Sequence, residues 1–192
     1  MSDQSTNGES HGESHGEPDA AALNGELENG ELENGLRGFE AVGQFLEADG
    51  WHPQRIEDNY VYRVYFAGQN GELACFAQLR VDLEQLLFYV VMPVRTPAER
   101  RAPMAEFITR ANYGLRIGNF EMDFEDGEVR YKSSVDFEGE TLSNNLMRGV
   151  IYPAVQTMDR YLPGLLSVIY GGKTPAEAVA EIEAGEPGHE EE

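Results

Sequence analysis

Four histidines, one cysteine and two neighbouring strand carboxylates are the residues of this 192-residue chain whose types could do chemistry. A nucleophile needs an activating base, most often histidine, within hydrogen-bond reach. His11, His15 and His189 fall in low-complexity ends, and His52, between Trp51 and Pro53, reads as a loop histidine. No Ser, His and Asp constellation can be assembled from this set, so no catalytic residue is assigned. Zinc is served no better by one Cys and no paired His spacing. His11 and His15 alternate with Glu9, Glu13 and Glu17, a pattern able to hold a metal loosely. The stretch is a short-period repeat, so these histidines read as incidental and no metal site is assigned. Glu121 and Asp123 share one face of a predicted strand, with Lys132 and Arg130 as predicted cross-strand partners. Such pairing keeps a carboxylate ionised and argues for a structural role over a general acid. Asn112 and Tyr113 come just before Gly114 at a helix end, where Asn more often bonds local backbone. Neither standard glycine-rich phosphate loop is present. The chain reads as a non-enzyme without a cofactor.

The charge is uneven. Residues 1–35 hold nine acidic residues and no Lys or Arg, residues 177–192 hold seven and none, and the formal net charge is −21. Such a chain repels phosphate backbones, so nucleic-acid binding is not expected. Cys75 has no partner for an intramolecular disulfide, and the N-terminus has neither a basic nor an apolar signal region. The longest apolar run, 86–92, is too short to cross a bilayer as a helix. These features predict a cytoplasmic protein with no membrane partner.

The elements that would position any site follow from periodicity. Residues 1–35 contain GESHGESHGE and NGELENGELENG, repeats with too little apolar surface to offset the entropy of ordering them, and they read as a disordered acidic tail. From Leu36 a 3.6 period, Phe39, Val42, Phe45 and Leu46, predicts a helix ending at Asp49-Gly50, with Trp51 folding back on it. Alternation predicts strands over 60–66, 72–82 and 85–92, the first two joined at Asn70-Gly71 and the last two by a tight turn near Leu83-Glu84. Thr96, Pro97 and Glu99 predict a capped helix with core residues Met104, Phe107, Ile108, Ala111 and Leu115, kinked or restarted at Pro103. Residues 119–137 predict a β-hairpin turning at Asp126-Gly127, with Asp123 opposite Arg130, Glu121 opposite Lys132, and Met122 meeting Tyr131. A helix over 143–161, a shorter one over 162–170 and a capped last helix over 174–184 follow. Residues 185–192 read as a second acidic tail. The fold class is α+β: helix, three-stranded antiparallel meander, helix, β-hairpin and C-terminal helices, with the domain at 36–173.

Two features are left over once the core is assigned. Strand 85–92 is apolar on both faces, and the 143–161 helix has an arc wider than one core face needs. Either helices cover both sides of the sheet, or Leu87, Tyr89 and Val91, with Met147, Ile151 and Val155, form a surface for a partner or a second copy. A homodimer is the expectation.

Pro93, Pro97, Arg100, Arg101, Arg110 and Asn112, then Gly118-Asn119-Phe120 and 126–131 (DGEVRY), resemble the YbjN-domain family within the type III secretion chaperone-like fold, over roughly residues 39–172. The resemblance implies a small α+β protein, often dimeric, described as a sensory-transduction regulator or a relative of secretion chaperones, and brings no catalytic residues. The functional expectation is a protein-binding module, chaperone-like or regulatory, acting as a dimer. The alternative is a small-molecule sensor or an uncharacterised enzyme using a pocket between the 97–113 helix and the sheet.

Overall fold

The structure, a computed structural model, describes residues 20–57 and 59–184. Helix α1 (Ala20–Ala48) leads into strands β1 (Gln54–Ile56), β2 (Val61–Ala67), β3 (Glu72–Arg80) and β4 (Gln85–Val91). Helix α2 (Arg101–Gly114), the hairpin strands β5 (Asn119–Met122) and β6 (Val129–Asp136), and helices α3 (Asn144–Leu166) and α4 (Pro175–Ala184) complete it. The six strands form one antiparallel sheet in the order β1-β2-β3-β4-β6-β5, the α+β arrangement the periodicity predicts. Strand β1 is an addition: three residues beside Pro53 carry no alternation that could announce them.

Alternation along the strands decides what is covered. Tyr62 and Val64 on β2, Leu73, Cys75, Ala77 and Leu79 on β3, Leu86, Phe88 and Val90 on β4, and Val129 and Tyr131 on β6 are buried together. All four helices lie on that side: α1 packs on β3, α2 on β5 and α4, and α3 on β4, β6, α1 and α4. Among the described residues, the other side of the sheet has no helix.

Several expectations are corrected. Residues 1–35 are not all tail, since α1 starts at Ala20. Ala, Leu and Glu in 20–33 favour helix locally, and the end of the repeat is docked: Gly35 packs so closely on the Val81 carbonyl that a Cβ would overlap it. Beside it, the Asn34 amide donates to the Glu84 carboxylate at 2.6 Å. His11 and His15, read as incidental, lie outside the described residues. Thr96 does not cap a helix. It is buried, its N–H bonds the Gly127 carbonyl at 2.8 Å, and its hydroxyl has no partner. A short 3-10 turn, Ala98–Arg100, precedes the restart of α2 at Arg101, which places Pro103 in the first turn, where its missing N–H does no harm. The second capping box does form, with Thr174 and Glu177 bonding each other reciprocally.

Met147, Ile151 and Val155 are each 0 % exposed, so the wide arc of α3 is no surface in this chain. The helix lies mid-layer with α1 and α4 on its flanks, and three neighbours need a broader apolar arc than one sheet does. Nor does the chain break into separate helices at Leu162. Helix α3 runs through Pro163 to Leu166 and closes in a π turn, Ser167–Gly171. Helix α4 shares the core through Ala178 and Val179.

The uncovered face of the sheet as candidate functional site

Leu87, Tyr89 and Val91 sit mid-sheet on the side without helices, and all three are half-buried by neighbours in the sheet alone. The pairing register fixes those neighbours. Gln54, Arg63, Phe76, Tyr89, Lys132 and Asn119 form one row across all six strands. Tyr65, Ala74, Val91, Arg130 and Glu121 form the row on one side of it, and Ile56, Val61, Gln78, Leu87 and Ser134 the row on the other. An apolar and aromatic strip along β3 and β4 is thus flanked by Arg63 on β2 and by Arg130 and Lys132 on β6. A shallow trough of about 470 Å³ opens over the strip, lined by Val61, Ala74, Phe76, Gln78, Tyr89 and Val91 and closed at one side by Arg130 and Glu128.

The charged side chains are held in place. Glu121 accepts from Arg130 Nε at 2.6 Å and from Lys132 Nζ at 2.7 Å. Burial pulls its carboxyl upward, but the hydrogen bonds and charges of Lys132 and Arg130 outweigh this and keep it below its ordinary value. The Arg130 guanidinium lies 4.4 Å from the Tyr89 ring centroid, a cation–π contact that fixes the ring as part of the trough wall. Arg63 donates to Gln54 Oε1 at 2.8 Å and stays exposed.

The edges of the sheet are less inviting than its face. Asn112 Oδ1 accepts from Phe120 N at 2.7 Å and Asn112 Nδ2 donates to Phe120 O at 3.0 Å, so the side chain occupies outward backbone groups of edge strand β5 as a neighbouring strand would. The opposite edge, β1, is three residues long. Short or plugged edges resist strand addition.

Asn112 is engaged by the Phe120 backbone through both its amide oxygen and its amide nitrogen. Tyr113 is 97 % exposed. His52 is exposed, 3.8 Å from Glu47. Cys75 is buried and its thiol is pushed up to about 12 by that burial. Among the described residues no group of three His, Cys, Asp or Glu side chains converges to hold a metal. No helix among them is long and apolar enough to cross a membrane.

Two buried carboxylates escaped the sequence reading, and both serve backbone. Glu84, 2 % exposed and in left-handed conformation at φ 48°, accepts from Asn34 and from Gly139 N at 2.7 Å. Asp159, 9 % exposed, accepts from Gln69 N at 2.9 Å and Asn70 N at 2.8 Å, clasping the β2–β3 turn. Pro163 lacks the N–H that would bond the Asp159 carbonyl, and Asn70 Nδ2 donates to that oxygen instead at 2.9 Å. A Pro four residues after an Asp within an apolar helix is the one sequence sign of such a clasp.

Comparison with known proteins gives a family and a fold. The family model YbjN, described as "Putative bacterial sensory transduction regulator", matches residues 39–167. Among solved structures, "Crystal structure of YbjN, a putative transcription regulator from E. coli" aligns with TM-score 0.50 at 10% identity, covering 70% of this chain and 89% of that one, a likeness of fold. No curated protein matches.

Proposed function

This chain belongs to the YbjN family, and on that premise we propose that it is a non-enzymatic regulator which acts by holding a segment of another protein against the bare side of its sheet. The observation that carries this reading is strand β4. It stands mid-sheet with Leu86, Phe88 and Val90 sealed under helices and Leu87, Tyr89 and Val91 facing away from them. Apolar side chains presented together on one open face are what a recognition surface offers. The plugged β5 edge favours docking on the face over strand addition. The same act, holding a client, would serve a chaperone-like role, and the family description favours the regulatory one. A cytoplasmic setting belongs to this reading, because a sole, buried, free cysteine gains nothing from an oxidising compartment.

Self-association through this face is the second reading, favoured by the strip of Phe76, Tyr89 and Val91, which would pack against its own copy. The pocket reading, a small-molecule or enzyme site beneath α2, has no such support: Met104, Phe107, Ile108 and Ala111 fill that interface and Asn112 is engaged.

Quantitative capture from extract, comparing the wild-type chain with Tyr89→Asp and with Asn145→Asp on the helical layer, tests the reading. The expected result is a protein retained by wild type and by Asn145→Asp and lost with Tyr89→Asp. Identical retention by all three would overturn it. Light scattering decides the second reading, which requires a wild-type dimer that Tyr89→Asp dissociates.

A further inference from the structure

Building on the reading that this face binds protein, we infer that its occupant is one acidic amphipathic helix of about a dozen residues, apolar along one side with Asp or Glu on both flanks, and not a second copy of this chain.

Size is the first argument. Four strands at about 4.8 Å spacing, taken over five residues at about 3.3 Å each, give a flat footprint of about 300 Å². A stable dimer of ordinary size covers about 800 Å² on each partner. A helix about 10 Å across and about 18 Å long, which is about a dozen residues, matches the strip. Its width fits between the flanking side chains on β2 and β6, which stand three strand spacings apart, about 14 Å.

Charge is the second argument. The chain carries −21 overall, yet the rows through Tyr89 and Val91 hold Arg63, Arg130 and Lys132 against one carboxylate, Glu121, and the trough's other carboxylate, Glu128, is paired with Arg95 at 3.4 Å. The cations stand on both sides of the apolar strip while β3 and β4 between them contribute no charge in those rows. A ligand lying on Phe76 and Tyr89 therefore meets positive charge on either side, and carboxylates on its flanks complement it. Glu121 already fixes Arg130 and Lys132 in position, so little side-chain freedom is lost when a second carboxylate arrives.

The test uses the full chain and three 12-residue helix-forming peptides with Leu and Phe along one side, flanked by Glu, by Gln or by Lys, followed by fluorescence anisotropy. The Glu-flanked peptide is expected to bind tightest, and Arg63→Glu to weaken it about five-fold while strengthening the Lys-flanked one. Arg63 is exposed, so this variant keeps its fold, which the unchanged emission of Trp51 verifies. Equal binding of all three peptides, abolished by Tyr89→Asp, would overturn the acidic preference and leave the face as a protein-binding surface. Binding of the Glu-flanked peptide that is indifferent to both Tyr89→Asp and Arg63→Glu would overturn the assignment of the site. No binding by any peptide, or a wild-type dimer in light scattering that Tyr89→Asp dissociates, would overturn the helical occupant.

Discussion

Asp159 and Glu121 are both carboxylates in ordered hydrogen bonds, but their surroundings give them different weight. Asp159 holds two backbone N–H groups of the β2–β3 turn with little access to water, so Asp159→Ala strands both donors. A loss of about 2 kcal/mol is expected from the denaturant midpoint. Glu121 stands at the sheet surface, and Glu121→Gln is expected to lose about 1 kcal/mol or less at pH 7. Its folded-state value is lowered, so its contribution is present above the unfolded value of about 4.3 and disappears as pH falls through the lower folded value. The difference between wild type and Glu121→Gln should therefore shrink towards pH 3, and a difference that grows there would contradict the assignment. Cys75, pushed up to about 12, should resist a thiol reagent at pH 8 in the native protein and react fully once unfolded. The Glu121 pairing was legible because it spans one short hairpin. The Asp159 clasp was not, because its partners lie 89 and 90 residues away.

At the scale of elements, the 119–137 hairpin shows what alternation fixes and what it leaves open. Its faces follow the pattern, with Phe120 opposite Tyr131 and Glu121 opposite Arg130, but the register differs by two residues from a two-residue turn at Asp126-Gly127. Only Gly127 takes positive φ, at 77°, and Asp126 does not, so the turn type that requires both cannot form. The chain instead closes a wider tip, with Asp123 N bonding Glu128 O at 2.9 Å. The tip is pinned to the segment before α2: Arg95 pairs with Asp126, and Arg101 donates to Phe124 O at 2.7 Å. Phe124, carried in this wider tip beyond the end of β5, is left exposed. A Cβ at Gly127 would overlap the Thr96 carbonyl, so Gly127→Ala is expected to destabilise by about 2 kcal/mol or more in urea titration. An effect below about 0.5 kcal/mol would show that the tip is not docked. The β2–β3 turn follows the same logic, centring on Gln69-Asn70 because Asp159 binds those two N–H groups, not on Asn70-Gly71.

For the whole molecule, the two-faced strand 85–92 posed a choice that periodicity could not make: a second helical layer or an open side. The answer depends on where four helices go, and all of them go to one side, since α2 and α4 pack on each other and α1 and α4 flank α3. That arrangement seals Met147, Ile151 and Val155 and leaves Leu87, Tyr89 and Val91 as the half of the expected surface that faces outward. The fold class was legible because strand alternation and helix period are local. The fate of the α3 arc was not, because it is set by neighbours distant in sequence. Most direct is a photocrosslinking amino acid placed at Leu87 on the open face and, separately, at Asn145 on the helical layer, in cells. Adducts to another protein from position 87 and none from 145 are what the account predicts, and adducts from 145 with none from 87 would contradict it.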